Sequence, residues 1–294
     1  MFEFELEFLK TLENVRTEFL NNLFEAVTIV GEETILIVIL MVLYFMVNKD
    51  LAKKVLYIVT TSSCINGIVK NIVKMPRPWT MGEVTCVREE TATGYSFPSG
   101  HTQNTATWTT TFAIILKKHW VTILTIFTIL LVGFSRMFLG AHYPSDVIVG
   151  TILGVLIAFL GSFLYDKVKD KNKLILITIL LMLPFVIYFL MKPEALFADF
   201  FKIYGVLVAF YLTNILDDKI IKFDTNQVLW KKFIRLIVVI VLALLIKGGL
   251  KVLFGTFMIS SIIWCSLLLD AIRYFLLLFI ILGICPKVFK KINL

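Results

Sequence analysis

The sequence predicts an all-α polytopic membrane helix bundle of about nine transmembrane spans, preceded by an N-terminal amphipathic interfacial helix. Three observations carry that prediction. Hydrophobic residues make up 59% of the 294, against roughly 45–50% in soluble domains, and mean hydropathy is +0.89. Apolar runs of about 20 residues recur, each long enough to cross a hydrocarbon core of roughly 30 Å. The basic residues cluster in loops that fall on one side of a membrane if the spans number nine.

Residues 8–29 place apolar side chains at Phe8, Leu12, Val15, Phe19, Leu23 and Val27, with Glu13, Arg16, Glu18 and Asn22 between them. Helical spacing with a polar face predicts the surface helix, which Gly31 ends. A first crossing is expected at 33–48. Eight more are expected at 52–73, 98–116, 120–139, 145–165, 174–191, 200–216, 233–251 and 257–285. Lys49, Lys53 and Lys54 then follow the first span, Lys117 and Lys118 the third, and Lys167, Lys169, Lys171 and Lys173 the fifth. Lys219, Lys222, Lys231, Lys232 and Arg235 follow the seventh, and Lys287, Lys290 and Lys291 the ninth. By the positive-inside rule that side, with the C-terminus, is cytoplasmic. The N-terminus and the loops at 74–97, 140–144 and 192–199 are expected on the outer face of the plasma membrane. The chain divides on this reading into the interfacial helix at 1–30, a core at 31–170 and C-terminal spans at 171–294.

The acidic start, with Glu3, Glu5 and Glu7, is not that of a secretory signal peptide. The net charge of +8 is accounted for by the basic loops, so no nucleic-acid partner is expected. Cys64, Cys86, Cys265 and Cys285 form no Cys-x-x-Cys pair and flank no histidine, which argues against a zinc site. No cofactor is expected.

The polar residues that bear chemistry gather on the outward side. Lys70 ends the second span and Arg77-Pro78 follows it. Pro98-Ser99-Gly100-His101 opens the third. Ser135-Arg136 ends the fourth, and His142 and Asp146 open the fifth. Three cations at one face imply a polyanionic ligand, because the arginine fork matches phosphate oxygens in pairs and lysine adds a point charge. Pro98 suits the first turn of a helix, where Ser99 and Gly100 would offer backbone N–H groups to an anion. His142 and Asp146 are four apart and share a helix face. The carboxylate can hold one ring nitrogen as N–H and leave the other to attack phosphorus, while His101 protonates the leaving oxygen.

The set Lys70-x6-Arg77-Pro78, Pro98-Ser99-Gly100-His101 and Ser135-Arg136-x5-His142-x3-Asp146 resembles the three-part signature of the type 2 phosphatidic acid phosphatase superfamily. That superfamily includes membrane lipid phosphatases and the glucose-6-phosphatase catalytic subunit. The resemblance implies catalytic roles for His142 (nucleophile), Asp146 (its partner) and His101 (general acid). It implies phosphate binding by Lys70, Arg77, Ser99, Gly100 and Arg136. Ser135 belongs to the pattern with a lesser role. The expected function is a metal-independent phosphatase working through phosphohistidine. Its expected substrate is a phosphorylated membrane lipid of the phosphatidylglycerophosphate, phosphatidic acid or undecaprenyl diphosphate type. A sugar-phosphate phosphatase, a lipid phosphotransferase and a transporter of phosphorylated lipid or anion are the alternatives. Glu33 at the first span, and Asp270 and Arg273 within the last, are possible accessory residues, since charges inside a membrane are functional candidates.

Overall fold

The structure is a computed structural model that describes residues 2–257 and 262–294, helical with no strand among the described residues. The helices are α1 (Phe2–Asn14), α2 (Glu18–Thr28), α3 (Glu33–Val42), α4 (Lys49–Val73), α5 (Gly100–Leu116) and α6 (His119–Phe138). They continue with α7 (Pro144–Lys167), α8 (Lys171–Met191), α9 (Ala198–Leu216), α10 (Leu229–Phe257), α11 (Ile263–Phe279) and α12 (Cys285–Lys291). A helix stands wherever a crossing is expected, although the last expected span, at 257–285, begins on residues 258–261, outside the described ones. The qualifying spans are fewer than nine. Among the described residues six helices are long and apolar enough to cross, or seven if the bent pair Glu18–Gly31 and Glu33–Val47 is one broken span. With that pair counted, two expected crossings fall short. The first turns of α4 carry Lys49, Asp50, Lys53 and Lys54, and α5 is only 17 residues long and rich in threonine.

The chain divides into two compact units, Met1–Leu36 with Ile65–Leu164, and Ile37–Cys64 with Tyr165–Leu294. In the first, α5 is the buried element. Ser99 caps it, and its threonines satisfy their own hydroxyls: Thr105 donates to the His101 carbonyl at 2.8 Å, Thr107 to Gln103 at 2.8 Å and Thr111 to Thr107 at 2.7 Å. A helix so sealed can be buried without stranding polar groups. Gln103 Oε1 accepts from Asn66 on α4 at 2.8 Å. A Cβ at Gly150 would come within 2.8 Å of the Ser99 carbonyl, and one at Gly154 within 2.5 Å of the Gln103 carbonyl. Glycine therefore lets α7 lie directly on the backbone of α5. From α2, Phe24 packs edge-on against Phe134 and tilted against Phe138 of α6, at 5.3 and 4.4 Å between ring centroids.

The N-terminal segment departs from the expected single surface helix. It is two helices broken at Val15–Thr17. The break has a local cause: Arg16 turns inward to donate to the carbonyls of Phe138 (2.8 Å) and Thr85 (2.9 Å), and Thr17 caps α2. Leu9 is fully buried against Met75, Val84 and Tyr143, and Glu5 accepts from the Ser145 amide at 2.7 Å. So α1 packs on protein, although Phe4 on the same helix remains exposed.

In the second unit aromatic residues contribute to the core. Phe189 and Phe201 are buried, and Phe189 packs on Phe197 and Phe200 at 4.8 and 5.2 Å. Gly205 of α9 sits against the Ala271 carbonyl of α11. Buried Asp217 accepts from Lys49 (3.0 Å), Lys53 (2.7 Å) and the Phe223 amide (2.8 Å).

Candidate active site

All three signature segments belong to the first unit. Lys70 lies in the last turn of α4. Its ammonium donates to the Tyr95 carbonyl, and its chain passes the start of α5, where a Cβ on Gly100 would meet Lys70 Cε at 4.0 Å. Arg77, buried just past that helix, spreads its guanidinium over backbone. Nε donates to the Gly94 carbonyl (2.9 Å), NH2 to the Thr93 carbonyl and NH1 to the Ala141 carbonyl (3.0 Å). Arg77 thus ties the loop before α5 to the loop before α7. NH1 also reaches Nε2 of His142, at 3.2 Å.

His142 is oriented from both ends. Its Nδ1 lies 3.1 Å from Asp146 Oδ2, and a carboxylate can only accept, so Nδ1 carries the proton and Nε2 keeps its lone pair. Asp146 Oδ2 also accepts from the Tyr143 amide at 2.9 Å and from the Ser96 hydroxyl. Burial, then the charges of Arg77, Lys70, Arg136 and His101, holds the His142 imidazolium well below the ordinary histidine range. At neutral pH the ring is therefore a neutral base with its reactive nitrogen toward the cations.

Arg136, in the last turn of α6, is wholly buried, and its NH1 gives to Thr28 Oγ1 at 3.0 Å. Its Nε and NH2, and Nε2 of His101, are buried without partners among the described residues. Unpaired buried donors on a permanent cation are costly in free energy. The buried donors of Arg136 and the Nε2 of His142, which keeps its lone pair, belong to one cluster with Arg77.

The remaining predicted residues sort differently. The Ser99 amide donates to the Asp146 carbonyl at 3.0 Å and its hydroxyl pairs with Thr102 at 3.0 Å, so Ser99 joins α5 to α7. Pro98 lies before the cap, and Gly100 is the first helical residue. Ser135 donates to its own helix, at the Val132 carbonyl (2.7 Å). Glu33 is exposed at the start of α3, while Glu32, one residue earlier, pairs with Arg88 at 2.9 Å. Asp270 and Arg273 belong to the second unit and pair with each other at 2.8 Å. The sequence reading missed Ser96, Thr28 and Arg88. A serine in a turn and a threonine ending a helix are too ordinary to single out, although Arg88, a cation in the long loop at 74–97, was visible.

Comparison with known proteins gives the family. A model of the PAP2 superfamily matches residues 51–170, and one of the PAP2 superfamily phosphatase transmembrane extension matches residues 201–294. The chain is 30% identical over 159 residues to an undecaprenyl-diphosphatase of Sulfolobus acidocaldarius, covering 54% of this chain and 77% of that one. It is 28% identical over 168 residues to phosphatidylglycerophosphatase B of Bacillus subtilis, covering 53% and 80%. The crystal structure of a transmembrane PAP2 type phosphatidylglycerolphosphate phosphatase from Bacillus subtilis superposes with a TM-score of 0.50 at 26% identity, covering 57% of this chain and 87% of the other. With the signature residues assembled in one unit and the matches running through them, this chain belongs to the PAP2 superfamily.

Proposed function

We propose that the chain is an integral membrane phosphatase that cleaves a phosphomonoester or diphosphate of a lipid at the outer membrane face, without a metal ion. The observation that carries the reading is Arg136, buried with Nε and NH2 unmatched, within electrostatic reach of a His142 whose Nδ1 is held by Asp146. Nε2 of His142 attacks phosphorus, the bond to the leaving oxygen breaks, and His101, protonated when the negative phosphoryl group offsets the surrounding cations, supplies the proton to that oxygen. Water then splits the phosphorus–nitrogen bond and releases inorganic phosphate. Lys70, Arg77, Arg136 and the helix start at Gly100 hold the equatorial oxygens as charge spreads over them. The names of the relatives support a lipid phosphate of the undecaprenyl diphosphate or phosphatidylglycerophosphate type.

In this reading α4 and α5 also cross, which brings the spans to nine. Thr102, Gln103, Thr105, Thr107 and Thr109–Thr111 of α5 are buried, so that helix needs little apolar surface toward lipid. The phosphatase core is then 31–170, and the spans from 171 onward stand outside the chemistry.

The test is phosphate release by the purified protein from lipid phosphates in detergent. Vanadate should inhibit and EDTA should not. His142→Ala, still folded, should lose about a thousandfold or more in turnover, as removal of a nucleophile does. Phosphate release retained by that variant, or abolished by EDTA, would overturn the mechanism. Phosphate that appears on an added acceptor lipid instead of in solution would make the protein a transferase.

A further inference from the structure

The short turn from Thr28 to Glu32 touches the site at three points. Thr28 accepts from Arg136 NH1 at 3.0 Å. Gly31 lies so close to α5 that a Cβ there would stand 3.2 Å from the Cβ of His101 and 3.1 Å from Thr105 Oγ1. Glu32 then accepts from Arg88 NH1 at 2.9 Å, with the two side chains only 22% and 18% exposed. The same turn thus holds Arg136, backs His101 and fixes a further cation beside them. Nε of Arg88 also reaches Glu90 at 3.3 Å, but Glu90 is 70% exposed and its charge is shared with water. NH2 of Arg88 makes no hydrogen bond among the described residues.

Through Glu32, Arg88 is tied to the turn whose Gly31 backs His101. In an in-line displacement the leaving group departs opposite the nucleophile. A cation beside His101 therefore faces the leaving group and not the transferred phosphoryl. For a phosphomonoester that group is an alcohol oxygen. For a lipid diphosphate it is a second phosphate, which matches an arginine fork.

We infer that Arg88, oriented by Glu32, binds the leaving phosphate of a lipid diphosphate and makes diphosphates the preferred substrates. This rests on the phosphatase reading above. His142 Nε2 attacks the terminal phosphorus and the bond to the bridging oxygen breaks. The electron pair goes to that oxygen with the proton of His101, and a lipid monophosphate leaves past Arg88. Water then cleaves the phosphohistidine to inorganic phosphate and returns a proton to His101.

The test compares farnesyl diphosphate with farnesyl phosphate, which share one tail, by initial rates in detergent. The wild type should prefer the diphosphate. Arg88→Gln should lower kcat/KM for the diphosphate about tenfold more than for the monophosphate, the scale of one charge-assisted contact in a water-poor site. Arg88→Lys keeps the charge without the fork and should give an intermediate ratio, which also serves if Arg88→Gln does not fold. An unchanged ratio in both variants, an equal loss on both substrates, or a wild type that prefers the monophosphate overturns the inference and leaves the phosphatase reading standing. No phosphate from either substrate with wild type removes both.

Discussion

The chemistry turns on which nitrogen of His142 holds a proton. Asp146 fixes Nδ1–H at 3.1 Å, and Arg77 points an N–H at Nε2 from 3.2 Å. Burial and the surrounding cations oppose a second proton on the ring. The sign is clear: with its protonation constant held below the ordinary 6.5, the His142 ring stays neutral as pH falls from 8 to 6.5. The limb of kcat/KM that reports loss of the free base should therefore lie below pH 6.5. An acid limb centred above 6.5 in a pH-rate series would contradict the electrostatics of this pocket. The unfolded chain gains a proton near pH 6.5 that folded His142 refuses, so this group makes stability decline as pH falls through that value. The histidines, the aspartate and the three cations were all readable from spacing. Ser96, which gives its hydroxyl to Asp146, was not, because its role depends on a fold that brings a loop before α5 against the first turn of α7.

At the scale of elements, α1 is where pattern and structure part. Apolar side chains at helical spacing suit a membrane surface and a protein surface equally, and periodicity cannot choose between them. The choice is made by what lies beneath: Met75, Val84 and Tyr143 bury Leu9, with Leu6, Leu12, Phe97 and Met137 packed around them. Tyr143 and Phe97 lie in the loops that carry His142 and Ser99, so α1 buttresses both. Leu9→Ala should cost about 3 kcal/mol, as deletions in closed cores do. It should lower the thermal midpoint in detergent by several degrees and reduce turnover with it. A surface anchor would respond otherwise, with the midpoint unchanged and only membrane attachment weakened. The positions of α4 to α9 were legible because their apolar runs are bounded by lysine clusters or by Gly and Pro turns. The threonines that seal α5 and the glycines that let α7 onto it show their purpose only in packing.

For the whole molecule the open quantity is orientation, and the lysine clusters supply a definite expectation. Helices alternate sides, so the loop at 74–97 and the turn at Lys117–Lys118 end on opposite faces if α5 crosses. Basic loops are retained in the cytoplasm, which puts Lys118 inside and the 74–97 loop outside with the site. A 17-residue α5 rises about 25 Å at 1.5 Å per residue, a little short of a hydrocarbon core of roughly 30 Å. It reaches across only if the polar loops at its ends dip toward the core. Met81, 57% exposed, and Lys118, also exposed, make matched probes. In a background with Cys86 and Cys265 replaced by serine, Met81→Cys should react with a membrane-impermeant maleimide on intact cells. Lys118→Cys should react only after the membrane is opened. Labelling of both on intact cells would mean that α5 does not cross, and that the even spacing of lysine clusters along the chain has another cause. Labelling of Lys118→Cys alone would invert the protein and place His142 and its cations toward the cytoplasm, where a different pool of phosphorylated lipid would reach them.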